Sequence, residues 1–248
     1  MTSSANWFAS GGETYARFRP EYPRALLDYL LSITPDQHHA LDVGCGTGQL
    51  THLLASGFDK VTGIDPCQSQ IANAAPHDKI DYRVGPAERL PGDLSQINLI
   101  TVAQAAHWFD LPAFYREIAR VAAPRATIAL ISYGVLIPDE TIGERFRQFY
   151  YDEIGHFWPA ERKLVDEGYR TIDFPFAELT APKMEICLEW DLAALMGYIS
   201  TWSAVKRAGE AGQEKRLSRF YEDLCQIWGD PSQRRACGWP INIRAGKL

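Results

Sequence analysis

Leu41-Asp42-Val43-Gly44-Cys45-Gly46-Thr47-Gly48 closes a short apolar run on three alternate glycines. The run begins at Ala40 and reads as a strand buried on both faces. Glycines directly after such a strand let the chain turn tightly and let a ligand approach the backbone. They also leave N–H groups open at the start of the next helix. That helix is expected over Gln49–Ser56, where Leu50, Leu53 and Leu54 share a face and Gly57 stops it. The spacing is G-x-G-x-G with Gln49 in the sixth position, unlike the G-x-G-x-x-G that seats a pyrophosphate on a helix N-terminus.

Outward from this loop, Lys60–Asp65 reads as a second strand that ends on an acid. A carboxylate there can accept hydrogen bonds from both hydroxyls of a ribose, which marks an adenosine ligand without choosing between a dinucleotide and another adenosyl compound. A helix over Gln68–Ala75 closed by Pro76, a strand over Ile80–Val84 and a strand over Ile97–Ala103 follow. Asp110 is placed to cap a helix with Phe114, Ile118, Val121 and Ala122 on one face, ended by Pro124, and Ala126–Tyr133 is the fifth strand. Upstream, Leu26–Leu31 forms a short helix before Pro35. This rhythm predicts an α/β fold, a Rossmann-like, doubly wound, mostly parallel sheet with helices on both faces.

Beyond about residue 137 the pattern changes. Thr141–Phe157, Leu192–Lys206 and Gln213–Trp228 read as helices, Met184–Trp190 as a strand, and Ala236–Ala245 as a last strand interrupted by Pro240, at an edge or a bulge. The expected organisation is a core of residues 1–136 and 233–248 carrying a mainly helical cap, 137–232, inserted before the terminal strand.

Of the 248 residues 46% are hydrophobic and 23% charged, which suits a globular chain with a full core. The net charge of −6 supplies no basic stripe for a phosphate backbone, so nucleic acid is not the expected partner. The N-terminus lacks the pattern of a secretory signal and no run approaches the ~18 apolar residues of a membrane span. Five scattered cysteines, none in CxxC, point to a reducing compartment, read as the cytoplasm, without a disulfide framework. The histidines show no metal spacing, and none is expected to hold a metal. His38-His39 is expected in a solvated loop and Arg234-Arg235 in a solvated turn.

Leu41–Gly48 with Gly63-Ile64-Asp65 resembles motif I and the following acidic strand of class I S-adenosylmethionine-dependent methyltransferases. Gly85-Pro86-Ala87-Glu88-Arg89-Leu90-Pro91 is similar to the segment after their third strand. Ala103-Gln104-Ala105-Ala106-His107-Trp108-Phe109-Asp110 resembles the fourth-strand motif of a subgroup that includes relatives of the trans-aconitate methyltransferases. Tyr15-Ala16-Arg17-Phe18-Arg19-Pro20-Glu21-Tyr22-Pro23 is similar to that subgroup's entrance segment. The resemblance covers roughly residues 13–134, and it implies S-adenosylmethionine as cofactor and S-adenosylhomocysteine as product.

It also implies roles. Asp42, Gly44, Gly46 and Gly48 would line the methionine portion, with Cys45 in the same loop, and Asp65, followed by Pro66, would bind the ribose. Ala87 and Glu88 would border the adenine and Gln104 the sulfonium. Tyr15 and Arg19 would close over the cofactor, and Arg19 could also meet an acidic acceptor. His107 and Trp108 would face the active-site mouth, His107 as a candidate base because an imidazole titrates near neutral pH. Asn98 departs from the family's usual Asp, a change expected to touch structure more than chemistry.

Each feature also has a plainer reading. His107 beside two aromatics suits a packed residue, Arg19 could pair with Glu21, and Cys45 suits a small buried filler. The aromatics Tyr150, Tyr151, Phe157, Trp158, Trp202 and Trp228 suit a core more than a substrate pocket. A small organic acceptor, such as a carboxylate, is the leading expectation. A methyltransferase of protein or tRNA, a non-catalytic S-adenosylmethionine-binding module and an NAD-linked oxidoreductase stay open as rivals.

Overall fold

The computed structural model describes residues 20–248, and they group into two compact units. The first comprises Glu21–Val135, Lys163–Ile186 and Pro240–Leu248. Its chain begins with α1 (Arg24–Ile33), which buries Leu26, Leu27 and Leu30 and stops at Thr34, whose hydroxyl donates to the Leu30 carbonyl at 2.7 Å. Strands β1 (His39–Val43), β2 (Lys60–Asp65), β3 (Ile80–Val84), β4 (Ile97–Ala103) and β5 (Ala122–Tyr133) pair in parallel in the order β3-β2-β1-β4-β5. The sheet is the mixed α/β, mostly parallel arrangement that the alternation predicts.

Helices α2 (Gln49–Ala55), α3 (Gln68–Ala72) and α4 (Leu111–Val121) follow β1, β2 and β4. The crossover through α2 moves one way along the sheet and the one through α4 the other, so right-handed connections put them on opposite faces. Helix α4 starts on Asp110, whose side chain accepts from the Ala113 amide at 3.2 Å. It buries Phe114, Ile118 and Val121, each worth roughly 1.5–3 kcal/mol of burial. Helix α3 ends at Ala72, short of the Ala75 expected from Pro76. Pro124 does not delay β5: the strand begins at Ala122 and absorbs Pro124 and the left-handed Arg125 (φ 63°) in a register shift against β4.

Strand β6 (Arg235–Lys247) is unbroken at Pro240. Its residues Ile241–Lys247 run antiparallel to β5, and Pro240 lies just outside that ladder. The missing N–H is therefore not called on, while the Pro240 carbonyl accepts from the Gly134 amide at 2.9 Å. His39 is not in a loop. It opens β1, its Nε2 lies 2.9 Å from the Thr62 hydroxyl, and burial with the Lys60 charge lowers its pKa to about 4. His38 is exposed and pairs with Asp59 at 2.9 Å. Asn98 accepts from the His39 amide at 3.0 Å, a structural contact between β4 and β1.

The second unit comprises Leu136–Arg162 and Cys187–Trp239. It carries α5 (Glu140–Arg147), α6 (Leu192–Ser200), α7 (Ser203–Glu210) and α8 (Glu214–Trp228). Its core is aromatic: Phe149 stacks on Phe220 at 4.0 Å, and Tyr150, Trp158 and Trp202 lie 5.1–5.6 Å apart. Trp228 is buried, whereas Tyr151 is exposed. Arg145 pairs with Glu153 at 2.9 Å and Asp223 at 2.8 Å. Arg235 is not solvated as expected: it donates to Asp139 at 3.1 Å and to the Trp228 carbonyl at 3.0 Å.

Candidate functional site

Strand order reverses at β1, which has β2 on one side and β4 on the other. Loops leaving the carboxyl ends of such neighbours diverge and open a crevice, the usual ligand position of an open α/β sheet. The turn after β1 passes through Gly44, Gly46 and Gly48 at φ 72°, 57° and 91°. The amides of Gly44 and Cys45 donate to the Ile64 carbonyl at 2.7 and 3.0 Å. The Gly46 amide donates instead to Asp65 Oδ2 at 2.9 Å, and Asp65 Oδ1 accepts from the Cys67 amide at 2.8 Å. A carboxylate has about four lone-pair sites, so both oxygens of Asp65 keep capacity for ligand hydroxyls.

The loop glycines answer to different demands. A Cβ on Gly48 would lie 2.0 Å from the hydroxyl of Tyr82, so β3 packs directly on the turn. A Cβ on Gly46 would meet no described atom within 4 Å. Among the described residues nothing fills the space above Gly46, while the backbone beneath is fixed by Asp65.

Asp42 is 1% exposed and braces the loop from below. Its Oδ2 accepts from the Thr51 hydroxyl at 2.7 Å and its Oδ1 from the Thr101 hydroxyl at 2.8 Å, which ties α2 and β4 to β1. Burial pushes its pKa up to about 6, opposed by the two threonine bonds and assisted by the charge of Asp65. Cys45 is buried, and burial pushes its thiol well above the ordinary value, so it is not poised as a nucleophile. Pro66 is exposed beside Asp65.

From the end of β3 come Ala87, which is buried, and Glu88, whose Oε1 accepts from the Asp110 amide at 3.0 Å. Gln104 follows β4 in a left-handed conformation (φ 56°) that side chains rarely adopt. Its amide donates to the Ile131 carbonyl at 2.9 Å and its Nε2 to the Tyr133 carbonyl at 3.0 Å. His107 and Trp108 lie in the short helical turn Ala106–Trp108. Their rings are 4.8 Å apart; His107 Nδ1 is 2.9 Å from the Tyr169 hydroxyl, and Trp108 is 58% exposed. Tyr15 and Arg19 lie outside the described residues.

The structure therefore gathers the residues expected from β1, β2, β3 and β4 at one sheet edge, with Asp42 beneath the loop. Four residues were not found from sequence. Thr51 and Thr101 are the partners of Asp42, Tyr82 packs on Gly48, and Tyr169 reaches His107 from 62 residues away. Only Thr51 left a signal, as a polar residue on the inner side of a short apolar helix.

A family model described as a methyltransferase domain matches residues 41–130. A protein of Dictyostelium discoideum that carries a methyltransferase name is 34% identical over 225 residues, 89% of this chain and 86% of that one. A solved structure from Anaeromyxobacter dehalogenans, described as a type II methyltransferase, is 41% identical with a TM-score of 0.85. It covers 93% of this chain and 98% of its own. A Mycobacterium tuberculosis protein named as a methyltransferase is 35% identical over 127 residues, 50% of this chain and 51% of that one.

Proposed function

The chain belongs to the class I S-adenosylmethionine-dependent methyltransferases, and from that premise we propose that it methylates a small organic acceptor, with carboxylates the first class to try. The observation that carries the site is the Asp65–Gly46 hydrogen bond, with a space above Gly46 that no described atom fills. In this reading Asp65, next to Pro66, takes the ribose hydroxyls, and the Gly44–Gly48 loop takes the methionine portion. Asp42 and Cys45 support that loop from inside. Ala87 and Glu88 border the adenine, and Gln104 forms the wall beside the sulfonium. Tyr15 and Arg19 are assigned to the outer side of the cofactor.

When bound, the cofactor supplies an electrophilic methyl group that an acceptor O, N or C displaces in line, S-adenosylhomocysteine leaving. The protein's share is positioning. Trp108, 58% exposed, offers an apolar face to the acceptor. His107 takes the proton from an acceptor that must lose one, whereas a carboxylate needs no base. The net charge of −6 favours a small acceptor over RNA. The five cysteines are free thiols, in keeping with a cytoplasmic enzyme.

Transfer of radiolabelled methyl from S-adenosylmethionine tests the acceptor class. The arms are a panel of small carboxylic acids, phenols and amines, bulk tRNA, and mixed protein. Label in the small-molecule fraction is expected, and label confined to tRNA or protein would overturn this acceptor class. Tight binding without transfer to any arm would favour a non-catalytic binding module.

A further inference from the structure

We propose that Tyr169 is a positioning residue of His107, fixing the tautomer and tilt of the imidazole for its part in the transfer. The proposal rests on His107 standing at the reacting end of the site, as argued above. The direct observation is the 2.9 Å contact between the Tyr169 hydroxyl and His107 Nδ1.

The backbone around Tyr169 is built to deliver that hydroxyl. Tyr169 is fully buried yet left-handed, at φ 60°, directly after Gly168 at φ 63°. A bulky residue holds such a conformation only where its surroundings over-determine it, and such positions gather where a side chain must be aimed. Here Arg244 on β6 supplies the constraint. Its Nη1 donates to the carbonyls of Tyr169 at 3.0 Å and Ile172 at 2.6 Å. Arg244 is itself gripped by both oxygens of Glu178, at 2.9 and 3.1 Å, and lies 4.7 Å over the Phe174 ring. One residue further, the Tyr115 hydroxyl donates to the Asp173 carbonyl at 2.7 Å. A tyrosine that merely filled core volume would not need this set of clamps.

The other partner is also held. His107 comes three residues after Gln104, whose left-handed backbone is pinned to β5 by two hydrogen bonds. Tyr169 thus hangs from strained backbone itself, and His107 from a helical turn that follows a strained residue. In a neutral imidazole the hydrogen bond at one nitrogen sets which nitrogen carries the proton. On this proposal Nδ1–H donates to the phenol oxygen, which puts the basic lone pair on Nε2, the arrangement a proton acceptor requires.

Nitrogen-15 NMR of histidine-labelled protein, with His107 assigned through His107→Gln, reads the tautomer directly. Tyr169→Phe keeps the ring volume and should move His107 toward the tautomer mixture of a free imidazole while the protein stays folded. Unchanged His107 nitrogen shifts would overturn the proposal. If Tyr169→Phe does not fold, 3-fluorotyrosine labelling of the otherwise unaltered chain replaces it, with shifted His107 nitrogens expected and unshifted ones overturning the proposal. A separate arm tests the reading underneath. S-Adenosylhomocysteine added to the unaltered protein should move the His107 signals, and signals indifferent to saturating ligand would remove His107 from the site, whatever Tyr169 does. With an acceptor in hand, Tyr169→Phe should lower kcat roughly 10- to 100-fold with KM for S-adenosylmethionine unchanged.

Discussion

Asp65 and Gly46, 19 residues apart, are joined by a 2.9 Å hydrogen bond in which the glycine amide donates to the carboxylate. The acid assigned to the ribose therefore also sets the loop assigned to the methionine portion, and the two halves of the site are coupled through one side chain. Asp65→Ala should weaken S-adenosylhomocysteine binding by at least about 1–3 kcal/mol, the scale of charge-assisted hydrogen bonds. Asp65→Asn, which keeps one carbonyl oxygen, should recover part of the loss. Calorimetry on folded variants gives both values, and an unchanged affinity in Asp65→Ala would count against the ribose assignment.

Gly46 and Gly48 should fail differently. Gly48→Ala places a methyl 2.0 Å from the Tyr82 hydroxyl at φ 91°, and should cost about 2–4 kcal/mol of stability. Tyr82→Phe removes a buried hydroxyl that has no hydrogen-bond partner among the described residues, so alone it should be near neutral. Combined with Gly48→Ala it should give back part of the loss, as residues in contact do. Gly46→Ala meets only backbone strain of about 1–2 kcal/mol, yet should cut ligand affinity more than Gly48→Ala cuts it per unit of lost stability. Urea melts and ligand titrations on the four variants decide the order.

Asp42 gives a pH prediction. Its pKa is pushed by burial from 3.8 up to about 6, so between those values the folded chain holds a proton that the unfolded chain has released. Stability from this group is thus fullest below about pH 4 and falls as pH rises to about 6, by on the order of 2–3 kcal/mol. Asp93, Glu117, Asp139 and Glu178, held low by arginines or local hydrogen bonds, run the other way and lose stability as pH falls. Asp42→Asn shares those four groups, and the Thr51 and Thr101 hydroxyls can reverse to suit an amide. The stability of Asp42→Asn relative to the parent should therefore increase from pH 4 to pH 7, and a flat difference in urea midpoints would contradict the shift.

Trp108 should be separable from the fold. At 58% exposure its replacement by alanine should change stability by no more than about 1 kcal/mol. It should raise KM for the acceptor roughly 10-fold with KM for S-adenosylmethionine unchanged, since an apolar wall acts in binding. Steady-state kinetics with the acceptor found in the labelling screen would show this, and equal effects on both KM values would move Trp108 to the cofactor side.

Local patterns made the sheet and its crevice legible. Strands Lys60–Asp65, Ile80–Val84 and Ile97–Ala103 fall at the expected residues; the first and third are largely apolar because they are covered on both faces, whereas Ile80–Val84 is a half-exposed edge strand. The glycines and the acid likewise mark the ends of two consecutive strands, so each is visible from its own local pattern. The contacts that position them were not legible, because they depend on register between distant strands. Thr101 reaches Asp42 only once β4 pairs with β1, and Tyr169 reaches His107 only once Arg244 on the terminal strand has fixed its turn. His39 was misplaced because a histidine beside a second histidine looks polar, whereas pairing with Thr62 lets it open a buried strand in its neutral form.

The central claim is that the crevice above Gly46 and Asp65 clasps an adenosyl sulfonium and not a pyrophosphate. Isothermal titration of the purified chain with S-adenosylhomocysteine and, in parallel, with NAD tests it most directly. The account predicts saturable one-to-one binding of S-adenosylhomocysteine that Asp65→Ala weakens, with no heat from NAD. Saturable binding of NAD by a protein that ignores S-adenosylhomocysteine would contradict it.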